Sequence, residues 1–271
     1  MTTPRIAISL GDPCGIGPEV VARALAARPG VDAVVYGDAG VLARAAAAEA
    51  ALDDLGALRH GRLSIHASQT IASYWLPPRL VRYRARYPGV TLDIRIGNTR
   101  EAVAAVREGA ADLGLVEGGF DDPLIGDVVV GSDRLVLVVR PDHPWAADAP
   151  LPAGDLAGGA WIVREPGSGT RSAFEAGLRE VGLDPERLKV VLTLPSNEAV
   201  LAAVAAGGGV AAVSWQVAAA AVSRGALAIA PLQLPARSYR LLRHRERYRT
   251  RAAEAFAAMA MAPDEAAPRR P

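Results

Sequence analysis

The sequence predicts an α/β fold with a parallel sheet and crossover helices, and three observations support this prediction. Short β-prone runs alternate with helical segments along most of the 271 residues. Val90–Ile96 has an apolar residue at every second position, which is typical of a half-buried strand. Ala102, Val103 and Val106 then follow at helical spacing. Tandem strand–helix units of this kind favour a parallel sheet whose helices cross over its faces.

The elements fall into four predicted blocks along the chain. Residues 1–40 predict a β-loop-α-β fragment, in which Pro18 suits the first turn of the helix. Residues 41–60 are rich in Ala, Leu, Glu and Arg and predict a linker helix. Residues 61–260 contain the repeated strands and helices, among them two separate predicted strands at Val128–Val130 and Leu135–Val139. Residues 261–271 form a polar, proline-containing tail that we expect to be disordered.

Composition excludes several classes of protein. The 30 basic and 29 acidic residues give a formal net charge of +1, so the chain is neither polyanionic nor polycationic. The single cysteine, Cys14, excludes an internal disulfide framework and any multi-cysteine metal site. Neither a targeting signal nor a membrane-spanning stretch is evident in the sequence, and we expect no membrane contact and a cytoplasmic location.

Four loops share one design, in which a strand ends, small polar or glycine residues follow, and a helix begins. They supply the candidate ligand-binding residues Ser68, Gln69, Thr70, Asn98, Thr99, Ser168, Gly169, Thr170, Ser196 and Asn197. Ligands of open parallel sheets bind at the carboxyl ends of the strands, where helix N-termini favour anions. Each residue taken singly is more simply explained as a helix N-cap. The recurrence of the design favours a ligand cleft.

Catalytic groups are scarce, and we predict no enzyme activity, no metal and no cofactor. The histidines His60, His66, His143 and His244 lack the i,i+4 spacing of a typical metal site. Cys14 has no histidine near it in sequence, so a small structural residue is the better interpretation than a nucleophile.

A series of short motifs extends from about Leu58 to Met259. They are Gly61–Ile65, Ala67–Thr70, Leu76–Pro77, Arg86–Val90, Gly97–Thr99, Gly109–Glu117, Val138–Pro144, Glu165–Arg171 and Ser196–Val200. In their order and spacing the chain resembles the effector-binding domain of LysR-type transcriptional regulators over about three-quarters of its length.

The resemblance implies two α/β lobes around a cleft, as in periplasmic binding proteins, with a small-molecule effector between them. It implies a first lobe of residues 61–117 and 214–250 and a second lobe of residues 118–213. Carried over by position, Ser68, Thr70, Thr99, Ser168 and Thr170 bind the effector. Gln69, Asn98 and Asn197 are further candidates. A homodimer through the effector domains is also expected.

The N-terminal residues suggest a different relationship. The runs Arg5–Ile8, Gly11–Glu19 and Val34–Asp38 resemble the start of 4-hydroxythreonine-4-phosphate dehydrogenase, over residues 5–47. No winged helix-turn-helix is visible in residues 1–60, so direct DNA binding is not expected. We interpret the chain as a fusion in which an enzyme-like fragment replaces the DNA-binding domain of a regulator.

The leading hypothesis is a LysR-type sensor of an anionic metabolite. One alternative is an NAD-dependent dehydrogenase related to the N-terminal fragment, against which the histidine pattern argues. Another is a transport-type solute-binding protein, which has similar lobes.

Overall fold

The computed structural model of the chain describes residues 5–9, 32–36, 58, 60–147 and 151–262. Two short strands, β1 (Arg5–Ser9) and β2 (Asp32–Tyr36), pair in parallel, as expected for the ends of a β-loop-α-β fragment. The helix predicted between them, nearly all of the linker helix at 41–60, and residues 263–271 of the predicted tail lie outside the described residues. Met261 ends a helix.

The remaining elements alternate much as the sequence predicts. The strands are β3 (Gly61–Ser68), β4 (Val90–Gly97), β5 (Leu113–Glu117), β6 (Ile125–Val139), β7 (Ala160–Arg164), β8 (Lys189–Leu194), β9 (Ala211–Ser214), β10 (Ala228–Ala230) and β11 (Ala236–His244). The helices are α1 (a π-helical turn Ile71–Trp75 continued by Leu76–Arg86), α2 (Thr99–Glu108), α3 (Gly169–Glu180), α4 (Asn197–Ala205), α5 (Trp215–Ser223) and α6 (Arg251–Met261). Short 3-10 turns cover Pro144–Ala146, Ala153–Gly158 and Pro185–Arg187.

Lobe I is built on a mixed sheet in the order β4–β3–β5–β11–β6. Strands β3, β4 and β5 are parallel, which confirms the predicted βα units, and β11 runs antiparallel to both β5 and β6. Helices α1 and α6 cover one side, where Tyr83 contacts Phe256 edge to face at 5.5 Å. The result is a core in which Leu63, Ile65 and Leu115 are fully or almost fully buried.

Lobe II is formed around the second half of β6. Residues Leu135–Val138 pair with β9, and Leu137–Val139 pair with β10, both antiparallel. The parallel pair β7–β8 joins this group through a single bridge from Trp161 to Val210. Trp161 is fully buried at the centre of the lobe II core, where its Nε1 donates to the Leu156 carbonyl at 2.8 Å.

Two strands connect the lobes. β6 is one continuous strand, although the sequence suggests two separate ones, and its halves belong to different lobes. β11 brings the chain back and pairs with the first half of β6, with a register shift between Tyr239 and Arg240. The predicted division of the chain differs from this pairing. It places residues 214–250 in the first lobe, whereas β10 pairs with the second half of β6.

Candidate functional site

The first and fourth predicted loops meet where the two lobes contact each other. Gln69 Nε2 donates to Glu198 Oε2 at 2.8 Å, and Gln69 Oε1 accepts from the Asn197 backbone N–H at 2.8 Å. Asn197 Nδ2 donates to Thr70 Oγ1 at 3.2 Å. Thr70 and Asn197 are fully buried. Side chains of three predicted residues therefore join lobe I to lobe II directly.

The second and third loops also face each other. Thr99 Oγ1 donates to the Glu117 carbonyl at 2.8 Å, and the Arg100 backbone N–H donates to the Gly167 carbonyl at 3.2 Å. A Cβ at Gly169 would lie 1.9 Å from the Glu117 carbonyl oxygen and 2.5 Å from Thr99 Oγ1. The start of α3 thus approaches the end of β5 so closely that only glycine fits there without a shift of backbone.

A buried cluster of charged residues lies beside these loops. Arg237, opposite Asp133 in the β11–β6 pairing, donates from Nε and Nη2 to Asp133 Oδ2 at 3.2 and 2.8 Å. Its Nη1 donates to Thr170 Oγ1 at 3.0 Å and lies 3.6 Å from Glu117 Oε1. Ser68 Oγ donates to the other oxygen of Glu117. One guanidinium therefore contacts residues of both lobes where the connecting strands pass between them.

A second buried guanidinium stabilises the start of α4. Arg164, at the end of β7, pairs with the Glu165 carboxylate through Nε at 2.8 Å and Nη2 at 3.1 Å. Its Nη1 donates to Asn197 Oδ1 at 2.6 Å. This bond fixes the Asn197 amide so that its Nδ2 faces Thr70.

Of the ten candidate ligand-binding residues, two cap a helix as the simpler interpretation predicts. Asn98 accepts a hydrogen bond from the Glu101 backbone N–H and forms a complete capping box with that residue. Ser196 caps α4 through the backbone N–H of residue 199. Ser168 precedes α3 and Thr70 precedes the π-helical turn, yet neither side chain makes a cap hydrogen bond. Their buried hydroxyls are therefore not used for capping.

The Tyr239 hydroxyl lies close to the charged cluster. Burial raises the pKa of this phenol, and the neighbouring Asp133 carboxylate raises it further. The hydroxyl therefore stays protonated at neutral pH. It accepts a hydrogen bond from Gln216 Nε2 at 3.3 Å, and Gln216 belongs to lobe II.

His66 lies in β3, beside the second loop. Burial lowers its pKa, the nearby Arg95 lowers it further, and Glu101 partly opposes them. Its Nε2 is buried and has no hydrogen-bond partner within the described residues. The imidazole is thus held in an environment that favours the neutral ring.

Four charged residues that the sequence analysis did not select belong to the site, namely Glu117, Asp133, Arg164 and Arg237. Glu117 and Arg164 each end a buried parallel strand, β5 and β7. A charge at the carboxyl end of an apolar run is a usable signal, because that end of a strand faces the ligand crevice. Asp133 and Arg237 offer no comparable signal, since long-range pairing of β6 and β11 brings them together.

Among the described residues there is no group of three or more histidine, cysteine, aspartate or glutamate side chains placed to hold a metal ion. In the same part of the chain, no helix is both long and apolar enough to span a bilayer.

Comparisons with known proteins agree on one family. Residues 56–262 match the family described as LysR substrate binding domain. The HTH-type transcriptional regulator CysL of Bacillus subtilis is 38% identical over 157 residues, which cover 58% of this chain and 52% of the regulator. The Synechocystis PCC6803 CcmR regulatory domain, solved in complex with 2-PG, superimposes with a TM-score of 0.68 at 25% identity, covering 74% of this chain and 96% of that one. The effector binding domain of QuiR in complex with shikimate has a TM-score of 0.67 at 18% identity, covering 74% and 96%.

The chain spans about half the length of the curated relatives it matches first. These relatives are named transcriptional regulators, in line with the prediction that the chain is not an enzyme. The resemblance of residues 5–47 to a dehydrogenase gains no support from the comparisons and stays a prediction.

Proposed function

Because this chain belongs to the LysR substrate-binding-domain family through residues 56–262, we propose that it senses a small anionic metabolite bound between its two lobes. The observation that carries the proposal is the Asn197 Nδ2 to Thr70 Oγ1 hydrogen bond at 3.2 Å, which links two predicted residues across the lobes. When the lobes separate, the two polar groups of this bond can each form a hydrogen bond to a ligand instead.

Helix geometry favours an anion at this position. Thr99, Gly169 and Asn197 are the first residues of α2, α3 and α4. The positive dipole ends of these helices attract carboxylate or sulfate oxygens. In α2 and α4 the first N–H groups already donate within the protein, that of Arg100 to the Gly167 carbonyl and that of Asn197 to Gln69. The solved relatives reported above bind 2-PG and shikimate at domains of the same fold, which supports a small polar effector here.

Ligand binding would act by shifting an open–closed equilibrium. Within the described residues the chain passes between the lobes only in β6 and just before β11. The other contacts between the lobes are hydrogen bonds such as Thr70–Asn197 and Thr170–Arg237, so a small rotation about these strands that breaks them separates the lobes. An effector that contacts both lobes binds the closed form better and therefore increases its population. Its influence is limited to the difference between its affinities for the two forms.

Calorimetry with sulfate and a panel of carboxylates tests the proposal, with Thr70→Ala and Thr170→Ala as cleft variants. Loss of a hydroxyl that binds a charged ligand costs about 1.5–3 kcal/mol, so each variant should bind at least about tenfold more weakly. Thr91→Ala and Thr193→Ala are matched controls on exposed strand positions of lobes I and II. Affinity that is unchanged in both cleft variants would place any binding elsewhere.

We also propose that the effector domains form a homodimer. Strand β8 pairs only with β7 among the described residues and exposes Val190, Val191 and Leu192, each by more than two-fifths of its surface. An apolar edge strand of this kind is a ready surface for pairing with another chain. Light scattering should show a dimer that Leu192→Asp weakens and that Val129→Asp, an exposed position in lobe I, does not. A monomeric wild-type chain at micromolar concentration would refute the dimer.

A further inference from the structure

The buried charges of the cleft do not balance. Asp133 takes two hydrogen bonds from Arg237, and Arg164 is paired with Glu165. Glu117 is left with the Ser68 hydroxyl and a 3.6 Å contact to the same Arg237. Two carboxylates thus share one guanidinium, which gives this cluster a formal excess of one negative charge.

This excess charge lies inside the region where the anion is proposed to bind. Glu117 is only 2% exposed, so water screens its carboxylate poorly. Its main-chain carbonyl contacts Thr99, its side chain contacts Ser68, and it shares Arg237 with Thr170. An anion held by the surrounding helix N-termini and hydroxyls is therefore repelled by Glu117, unless it presents a hydrogen-bond donor to that side chain.

We propose that the effector is an acid that also carries a hydrogen-bond donor, and that Glu117 accepts this donor. The inference rests on the proposed function, because it assigns a chemical class to the same cleft. The anionic end of the ligand binds at the helix N-termini, and the donor binds at Glu117. The donor is either an ammonium group, as in an amino acid, or a hydroxyl group, as in a hydroxy acid, since both donate to a carboxylate.

Sulfate is the first probe, because it is an anion without a donor at neutral pH. Calorimetry should show sulfate binding Glu117→Gln at least about tenfold more tightly than the wild type, since the neutral amide removes the repulsion. Glu117→Asp keeps the charge and should resemble the wild type. Glu180→Gln makes the same change of net charge at an exposed site on α3 and should also leave sulfate binding unchanged.

Alanine, lactate and propionate form the second arm, because they share a carbon skeleton and differ only in an ammonium, a hydroxyl or no donor. A wild-type preference for alanine over propionate that Glu117→Gln abolishes assigns the ammonium source. The same result with lactate assigns the hydroxyl source. Propionate that binds as tightly as both overturns the proposal.

If none of the three acids binds, the sulfate experiment alone tests the inference about Glu117. Absence of any gain in Glu117→Gln, whether or not sulfate binds either protein, overturns the inference. Failure of the proposed function has a different signature. In that case, acid or sulfate binding is insensitive to Thr70→Ala and Thr170→Ala, whereas failure of the inference alone leaves binding sensitive to these variants and insensitive to the Glu117 charge. Unchanged circular dichroism and melting temperature establish that each variant is folded.

Discussion

Removing the Arg237 guanidinium should destabilise the protein strongly. Arg237→Met keeps an unbranched side chain as far as the Nε position but removes the three hydrogen bonds to Asp133 and Thr170, of 2.8 to 3.2 Å. It also leaves the carboxylates of Asp133 and Glu117 without their cation, although these residues are only 8% and 2% exposed. Breaking a buried ion pair by removing one partner costs about 3–5 kcal/mol, and we expect a loss in this range.

A double-mutant cycle separates the electrostatic part of this loss in unfolding free energy from simple loss of packing. Asp133→Leu alone leaves Arg237 its contacts with Thr170 and Glu117, so it should cost less than Arg237→Met. The double variant removes one uncompensated charge and should recover at least about 1.5 kcal/mol relative to the sum of the single losses. Arg179→Met, an exposed position on α3, is the control.

Urea unfolding followed by tryptophan fluorescence is the assay. Trp75 lies in the lobe I core and Trp161 in the lobe II core, so the signal reports on both lobes. Equal dependence of the unfolding free energy on urea in all variants is required before the values are compared. A loss below about 1 kcal/mol for Arg237→Met, or additive losses in the double variant, would refute the argument that this guanidinium neutralises the cluster.

Three further predictions concern separate positions. Gly169→Ala places a Cβ 1.9 Å from the Glu117 carbonyl oxygen, so α3 must move away from lobe I. We expect the affinity for sulfate or carboxylates to fall and the free energy of unfolding to decrease by about 1–3 kcal/mol. Calorimetry that shows unaltered affinity would contradict this expectation. Because the pKa of His66 is lowered from its ordinary 6.5 in the folded state, protons bind the unfolded state better. Urea titrations should therefore show stability falling as the pH drops below about 6.5, an effect that disappears in His66→Gln and that equal slopes in both proteins would exclude. Trp161→Ala empties the centre of the lobe II core and should cost about 3–5 kcal/mol in urea unfolding, whereas a cost below about 1 kcal/mol would show that the cavity collapses.

Local sequence patterns predicted the parallel part of the fold well. The alternation in β4 and the helical spacing in α2 depend on neighbours in the chain, and both elements are present where expected. The continuous strand β6 was missed, because Gly131–Arg134 interrupts its apolar pattern with polar residues. These residues pair with β11, which lies about a hundred residues later in the sequence. No local pattern contains that information.

The candidate site was predicted in the same uneven way. The loops containing Thr70, Thr99 and Thr170 were selected from their position after strands. Thr70 and Thr170 hydrogen-bond across the two lobes, and Thr99 lies beside Gly169 of lobe II. That these residues bind an effector stays a prediction. The charged residues that contact them were not found. Arg237 follows a proline-containing loop and resembles any surface arginine in sequence, and only the β11–β6 register places it against Asp133.

The way the two strands connect the lobes also constrains the order in which the chain can fold. Lobe II is an insertion, contained in residues 135–235, whereas lobe I needs β11, which lies between β5 and β6 in its sheet. During synthesis lobe II can therefore complete its core while lobe I still lacks the strand that joins β5 to β6. Until β11 is added, β5 pairs with β3 on one side and has an unpaired edge on the other. All five residues of this strand, Leu113–Glu117, are buried in the finished protein. A chain that ends before Ala236 should consequently contain a folded lobe II and an aggregation-prone lobe I.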